Sequence, residues 1–408
     1  MAFDVERVRA AYPALADGYA YLDGAAGTQL PERVIGAIAG AYRAGLGNSG
    51  GVFPASRRAD EIETACREAV ADLTGGIASG VILGPNMTTL TYRLAGTLAK
   101  DWREGDEVVV SRLDHDANVR PWVQAAGSRG AVVRWAEVDT STGELPAGQY
   151  DELIGPRTRL VAVTAASNLI GTRPDVAAIT AKARAAGALS YVDGVHATPH
   201  GPVDIKALGA DFYATSAYKW SGPHVGAVIA DPGLLAGLQP DRLAPQADEV
   251  PLRFERGTTA FADLAGVTAA VDHLAQLGNP GPGSRRERLL ASMAAVEAYE
   301  QELFAVLRDG LAGMSQVTTY GMAAVKGDGE VGGAPTAYFT VAGHTPGQVA
   351  QFLAGRQVNV WAGHNYAWEL TGVLGLRDQG GAVRAGLVHY NDRSDVDRLL
   401  AALAELAG

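Results

Sequence analysis

Leu189-Ser190-Tyr191-Val192-Asp193-Gly194-Val195-His196 is a short apolar run that ends in a carboxylate, a glycine and an imidazole. An unbroken apolar strand of this kind suits a sheet buried on both faces, the usual setting of parallel strands covered by helices. The runs around it read the same way. Val81-Ile82-Leu83, Glu107-Val108-Val109-Val110-Ser111, residues 132–135, Leu160-Val161-Ala162-Val163-Thr164 and Phe212-Tyr213-Ala214-Thr215 are further short apolar strands. Helical stretches such as residues 176–186 lie between several of them, and another helix opens near Thr88. The pattern predicts an α/β fold whose large domain carries a mostly parallel sheet. Ligands of such sheets sit beyond the carboxyl ends of the strands.

Near residue 265 the pattern changes. A long helical stretch at 284–312 leads into fewer strands, expected at 337–341, 358–361 and 383–388. Thr345-Pro346 caps and opens a helix. The last helix, from about Ser394, sets Val396, Leu399, Leu400, Leu403 and Leu406 on one face. Residues 284–408, with 1–17, therefore read as a smaller α/β domain, and 18–265 as the large one. The connection is 266–283, which contains Gly278-Asn279-Pro280-Gly281-Pro282-Gly283.

Composition narrows the partners. A net charge of −11 over 408 residues argues against nucleic acid and against an anionic membrane surface. No apolar run approaches the roughly 20 residues of a membrane span, and the charged start, Asp4 to Arg7, is unlike a signal peptide. A single cysteine, Cys66, excludes a disulfide within the chain and makes the cytoplasm the expected compartment. Ile62, Ala65, Cys66, Ala69, Val70 and Leu73 share a helical face, so Cys66 is expected in the core.

Four polar sites fall at strand ends. Lys219, in Ser216-Ala217-Tyr218-Lys219-Trp220-Ser221, has aromatic and small neighbours that allow its amine to be desolvated and neutral. Asp193 ends its strand where a carboxylate can pair with a protonated pyridine nitrogen. Gly84-Pro85-Asn86-Met87-Thr88-Thr89 joins a strand to a helix, where free amides and the helix dipole favour a phosphate. His115, in Asp114-His115-Asp116-Ala117-Asn118, can set an imidazole against a ring. Singly these read as a surface lysine, a turn, a helix cap and a solvated loop. Their order along one domain points instead to a pyridoxal phosphate (PLP) site.

The ordered set resembles the class V aminotransferase and cysteine desulfurase family of fold-type I PLP-dependent enzymes. The resemblance runs from Tyr21-Leu22-Asp23-Gly24-Ala25-Ala26 to the last helix. It is carried by Arg157-Thr158-Arg159-Leu160, Ser167-Asn168-Leu169-Ile170-Gly171, the Asp193 and Lys219 motifs, and Arg253-Phe254-Glu255-Arg256-Gly257-Thr258. It implies that Lys219 holds PLP as a Schiff base and shuttles the Cα proton, that Asp193 pairs with the pyridinium, and that His115 stacks on the ring. Asn168 and His196 come near the ring hydroxyl. Met87, Thr88, Ser216 and Tyr218 form the phosphate cup, and Thr258 reaches the phosphate of a partner subunit, which implies a homodimer with shared sites. Arg384 grips the substrate carboxylate, with Ala26 and His364 near the substrate. A planar guanidinium suits that bidentate grip.

One position departs from the family. In Gly363-His364-Asn365-Tyr366-Ala367, Tyr366 stands where cysteine desulfurases carry the cysteine that takes up sulfur. The expectation is a cytoplasmic PLP enzyme that acts on a small L-amino acid by side-chain lyase or replacement chemistry, with Tyr366 as a phenol acting on the side chain or as a packing ring. Aminotransfer and epimerisation begin from the same Cα chemistry, and a non-catalytic binding protein on this fold is the alternative from another class. His196 and His200 have a zinc-like spacing, but Pro199 breaks the helix and no metal is expected. A dinucleotide dehydrogenase is disfavoured because no Gly-x-Gly-x-x-Gly follows the first strand. Residues 48–58 and 364–368 are expected loops that set side-chain specificity.

Overall fold

The computed structural model describes residues 3–321 and 333–407. Seven strands form the central sheet in the spatial order Val81–Gly84, Gly226–Ala230, Phe212–Ser216, Leu189–Asp193, Thr158–Thr164, Glu107–Ser111, Val132–Ala136. From Phe212–Ser216 onward they run parallel, whereas Gly226–Ala230 is antiparallel to both neighbours. All the strands expected before residue 220 form, with ends moved by at most two residues. Gly226–Ala230 is additional. Only the short 3-10 turn Ala217–Lys219 separates it from the preceding strand, so the alternation of strand and α-helix does not signal it.

Alternate residues of these strands feed two cores. Val109, Val161, Val163 and Val192 face one side and meet Ile179, Leu264 and Met293 from helices. Val108, Val110, Leu160 and Ala162 face the other and meet Leu90, Leu94 and Trp122. Cys66 lies in the first core with 0 % exposure, and burial pushes its thiol up to about 12.

The C-terminal part holds an antiparallel sheet in the order Trp361–Gly363, Ala382–Gly386, Thr336–Val341, Val317–Tyr320. The single strand expected at 358–361 divides. Val358–Asn359 pairs with Ala20–Tyr21, and Trp361–Gly363 joins the antiparallel sheet. The strand expected at 383–388 stops at Gly386, which packs so closely on Ala25 that any Cβ there would come within 2.6 Å of it. Val317–Tyr320 is a further unexpected strand. The long helix is Arg285–Ala312, opened by a Ser284–Glu287 capping box, and Thr345 caps Pro346–Ala354 in the same way. Residues 48–58 are only partly a loop, because Pro54 begins the helix Pro54–Thr74. Among the described residues no helix is long and apolar enough to cross a membrane.

Glu255 ties the 253–258 segment to this frame. Its carboxylate receives Arg67 Nη1 at 2.7 Å, Arg67 Nη2 at 2.8 Å and the Leu83 amide at 2.6 Å. Without Glu255, Arg67 keeps the Glu63 carboxylate and the Val81 carbonyl at 2.5 Å, so its charge is not left unpaired. Glu255→Ala should therefore cost about 1.5–3 kcal/mol, the range for hydrogen bonds to a charged group, rather than the full cost of a broken buried pair. The denaturation midpoint checks it, and an unchanged midpoint would show the cluster to be ornamental.

Candidate active site

The carboxyl edge of the large sheet gathers the polar residues, because each parallel strand releases its chain there. Lys219 follows Phe212–Ser216 after a single tight turn, and its Nζ donates to the Ala25 carbonyl. Burial, helped by the nearby Arg384 charge, draws its amine down to about 7, while Asp193 acts in the opposite direction. Asp193 ends the neighbouring strand. Burial raises its carboxyl to about 6, moderated by the Val195 N–H at 2.9 Å and by Lys219.

His115 is held by its own backbone. The Ala117 N–H donates to Nδ1 at 3.0 Å, so that nitrogen carries no proton and the neutral ring has its proton on Nε2. Burial, with Lys219 and Arg384 adding, lowers the imidazole to about 3, so it is uncharged at neutral pH. Beneath it, Asp114 accepts from Ser111 Oγ and from Asn118 Nδ2 at 2.7 Å, and burial raises its carboxyl to about 8.

The helix Met87–Leu98 begins at the same edge. Asn86 caps it by accepting the Thr89 amide at 2.9 Å, and the Met87 amide donates to Ser216 Oγ at 3.0 Å. Gly226 permits this approach, since a Cβ there would lie 2.5 Å from the Met87 nitrogen. Tyr218 stacks on His224 with ring centroids 4.9 Å apart.

The second sheet completes the enclosure. Buried Arg384, in the middle of Ala382–Gly386, donates from Nη1 to the Asn168 carbonyl at 2.8 Å. His196 Nε2 meets Thr336 Oγ1 at 2.9 Å. Asn168 Nδ2 donates to the Asn365 carbonyl at 2.9 Å, and the Asp116 amide donates to the Tyr366 carbonyl at 2.8 Å.

Of the residues singled out in the sequence, Met87, Thr88, His115, Asn168 and Asp193 line one cavity together with His196, Tyr218 and Lys219. It opens into a cleft of about 900 Å³ bordered by Ala26, His364, Tyr366 and Arg384. Ser216 sits behind the cavity wall, reached through the Met87 amide. Thr258 stands apart, exposed and outside the cleft. No residue of 48–58 borders it. Asn168 Oδ1 and His196 Nδ1 are buried without a hydrogen-bond partner, and both residues line the cavity. His200 meets the His196 ring edge-on at 5.0 Å while its Nδ1 pairs with Glu300, and among the described residues no group of three or more His, Cys, Asp or Glu is placed to hold a metal. The sequence reading missed Ala25, whose contribution is a backbone carbonyl, and the rim rings Tyr92, Trp361 and His224. A carbonyl has no residue-type signal, and the rings come from three separate segments.

Residues 20–399 match the model of the family Aminotransferase class-V. An uncharacterized protein of Mycobacterium tuberculosis is 39% identical over 407 residues, spanning 100% of both chains. A cysteine desulfurase of Klebsiella pneumoniae is 33% identical, covering 100% of this chain and 99% of its own. The crystal structure of the Escherichia coli cysteine desulfurase CsdA is similar with a TM-score of 0.86 and 28% identity, over 100% of each chain.

The lowered amine makes a measurable prediction. Only the neutral amine is a nucleophile, so modification of Lys219 in cofactor-free protein by formaldehyde and cyanoborohydride should climb through pH 7 and level off above it. An ordinary lysine keeps gaining reactivity until about pH 10. Peptide mass spectrometry across pH 6–10 reads both in one sample (an experimental range bracketing the two values). A Lys219 profile parallel to the surface lysines would mean that its burial is not felt.

Proposed function

The chain belongs to the class-V aminotransferase family, and on that premise we propose that it is a PLP-dependent enzyme that cleaves or exchanges a Cβ substituent of an L-amino acid. The family and its structural neighbours bind PLP. The residues present suit that cofactor. A buried carboxylate and a buried amine face one cavity, and two orphaned polar atoms, Asn168 Oδ1 and His196 Nδ1, await partners in its wall. This pairing of Lys219 with Asp193 beside unsatisfied groups is the observation that carries the proposal.

Bound PLP supplies an electron sink for charge developing at the substrate Cα. Lys219 would hold the cofactor covalently, and its neutral amine is placed to take the substrate's Cα proton. Asp193 would hold the pyridine nitrogen. The neutral His115 offers a flat ring and an Nε2–H donor, and without charge it does not repel the Lys219 cation. Met87 and Thr88 at the helix start, with Ser216 and Tyr218, suit a phosphate. Arg384 takes the substrate carboxylate. Loss of the Cα proton would allow a Cα–Cβ double bond to form as the Cβ–S or Cβ–C bond breaks, the leaving group taking its bonding pair and a proton; the released enamine would add water to give a keto acid and ammonia. Thr258, exposed outside this chain's own cleft, belongs to the site of a second subunit in a homodimer.

Sulfur is not parked on the protein in this scheme. Tyr366 has no thiol, and Cys66, the one cysteine, is sealed in the core. Protein treated with PLP and borohydride should gain the reduced cofactor's mass on the peptide containing Lys219, and Lys219→Ala should bind PLP without that gain. The holoenzyme then meets a panel of L-amino acids with products identified by mass spectrometry. A keto acid formed with a released side-chain fragment supports the lyase reading; an amino group moved intact to a keto acid, or a D-amino acid, replaces it. No label on Lys219 sinks the proposal.

Arg384→Lys should weaken amino-acid binding by roughly tenfold or more, since a point charge replaces a fork worth about 1.5–3 kcal/mol. The cofactor's absorbance should stay as in the parent. Titration of the holoenzyme checks it, and parental affinity in Arg384→Ala would move the carboxylate site elsewhere.

A further inference from the structure

The cleft that holds Lys219, Arg384 and the phosphate-cup residues Thr88 and Tyr218 extends past them to the rings of Trp361, His364 and Tyr366. Its wall carries a ladder of flat rings, with Trp368 outside the lining but touching His364. Tyr366 stacks on His115 with centroids 5.5 Å apart and planes 25° apart, His364 meets Tyr366 edge-on at 6.0 Å, and Trp368 meets His364 edge-on at 5.4 Å. Trp361 and Tyr92 border the same cleft and are 52% and 44% exposed.

Tyr366 is held by its backbone, not by its phenol. Its carbonyl accepts the Asp116 amide at 2.8 Å and its amide donates to His364 Nδ1 at 3.0 Å. Asn365 and Tyr366 both have positive φ, 47° and 59°, a strained pair for residues with side chains. The turn thus spends backbone strain to aim a ring that is 68% exposed. The charges beside it are already matched, because Arg120 pairs with Asp116 and with Glu369.

We propose that this ring ladder is the subsite for the substrate's side chain, and that the side chain is a large, flat, uncharged aromatic or heteroaromatic group. The inference rests on the reading of Lys219 and Arg384 as the amino-acid site and replaces the expectation of a small substrate. Because the Tyr366 and His364 planes stand 87° apart, a planar group can stack on one ring and meet the other edge-on, contacts that a short aliphatic chain cannot make.

The test uses α-methyl amino acids, which have no Cα proton and so bind without that step. PLP-loaded enzyme is titrated by calorimetry with α-methyl-L-tryptophan, α-methyl-L-phenylalanine and 2-aminoisobutyrate. The aromatic analogues should bind about tenfold tighter or better than 2-aminoisobutyrate. Tyr366→Ala should remove most of that preference while leaving 2-aminoisobutyrate unchanged, and Tyr366→Phe should restore it. Equal affinities for all three, or a preference that survives Tyr366→Ala, overturns the subsite and leaves the amino-acid reading standing. Sedimentation of the same variants adds a separate check: a dimer that falls apart in Tyr366→Ala makes the ladder a subunit interface and also overturns it. If none of the analogues binds an enzyme whose Lys219 carries the cofactor, the amino-acid reading itself has failed.

Discussion

Burying the Lys219 amine constrains every group around it. Desolvation disfavours the ammonium, and Arg384 in the same enclosure adds repulsion, so the amine sits near neutrality at pH 7. The cavity then tolerates few further charges. Asp193 supplies an opposing carboxylate for Lys219, and burial raises it to about 6; Asp23 opposes Arg384. His115 is kept uncharged, which avoids a third cation beside Lys219 and Arg384. Asp114 lies one residue away, and with its carboxyl raised to about 8 it is largely protonated at neutral pH, so it adds little negative charge. The same desolvation acts on all four groups, and its sign differs with the charge each would carry.

Both sheets must contribute for that enclosure to exist. The large sheet delivers Asp193 and Lys219, while Arg384 and Thr336 come from the antiparallel sheet. Bonds that cross between them, Arg384 to the Asn168 carbonyl and His196 to Thr336, lie at the cavity wall. Farther out, Glu369 accepts from Arg112 and Arg120, each at 2.9 Å, and so ties the segment after Tyr366 to the loop that carries His115. Partly exposed ion pairs add little stability singly. Here their effect is positional, since they fix which ring lies against which.

What the sequence made legible follows the range of the interactions. Asp193 and Lys219 are legible because strand ends have a local signature, an apolar run followed by a polar break. The Thr345 cap is legible from Thr-Pro ahead of a helix, whereas the Ser284 capping box is seen only in the structure. Gly226–Ala230 escaped because it turns straight back on Phe212–Ser216 with no α-helix between, and its other neighbour, Val81–Gly84, lies far back in the chain. The division of 358–361 escaped likewise: Val358–Asn359 is claimed by Ala20–Tyr21, far away in the chain. Tyr366 could be placed by resemblance, but its stack on His115 depends on a positive-φ turn that tyrosine does not advertise.

That turn also bears on the missing thiol. A residue that accepts sulfur from a substrate and passes it on has to reach two places, so its backbone needs freedom to move. The 363–367 turn is tied through the Asp116 amide, the Asn168 side chain and the His364 ring, and Asn365 Nδ2 adds a bond to the Gly363 carbonyl at 3.0 Å. Tyr338 Oη donates to that same carbonyl at 2.8 Å and accepts the Ala382 amide at 2.8 Å. A cysteine placed in this turn would be held where Tyr366 is held. Restoring the thiol alone would therefore not restore a carrier, because the constraint lies in the partners of the turn as much as in the side chain it presents.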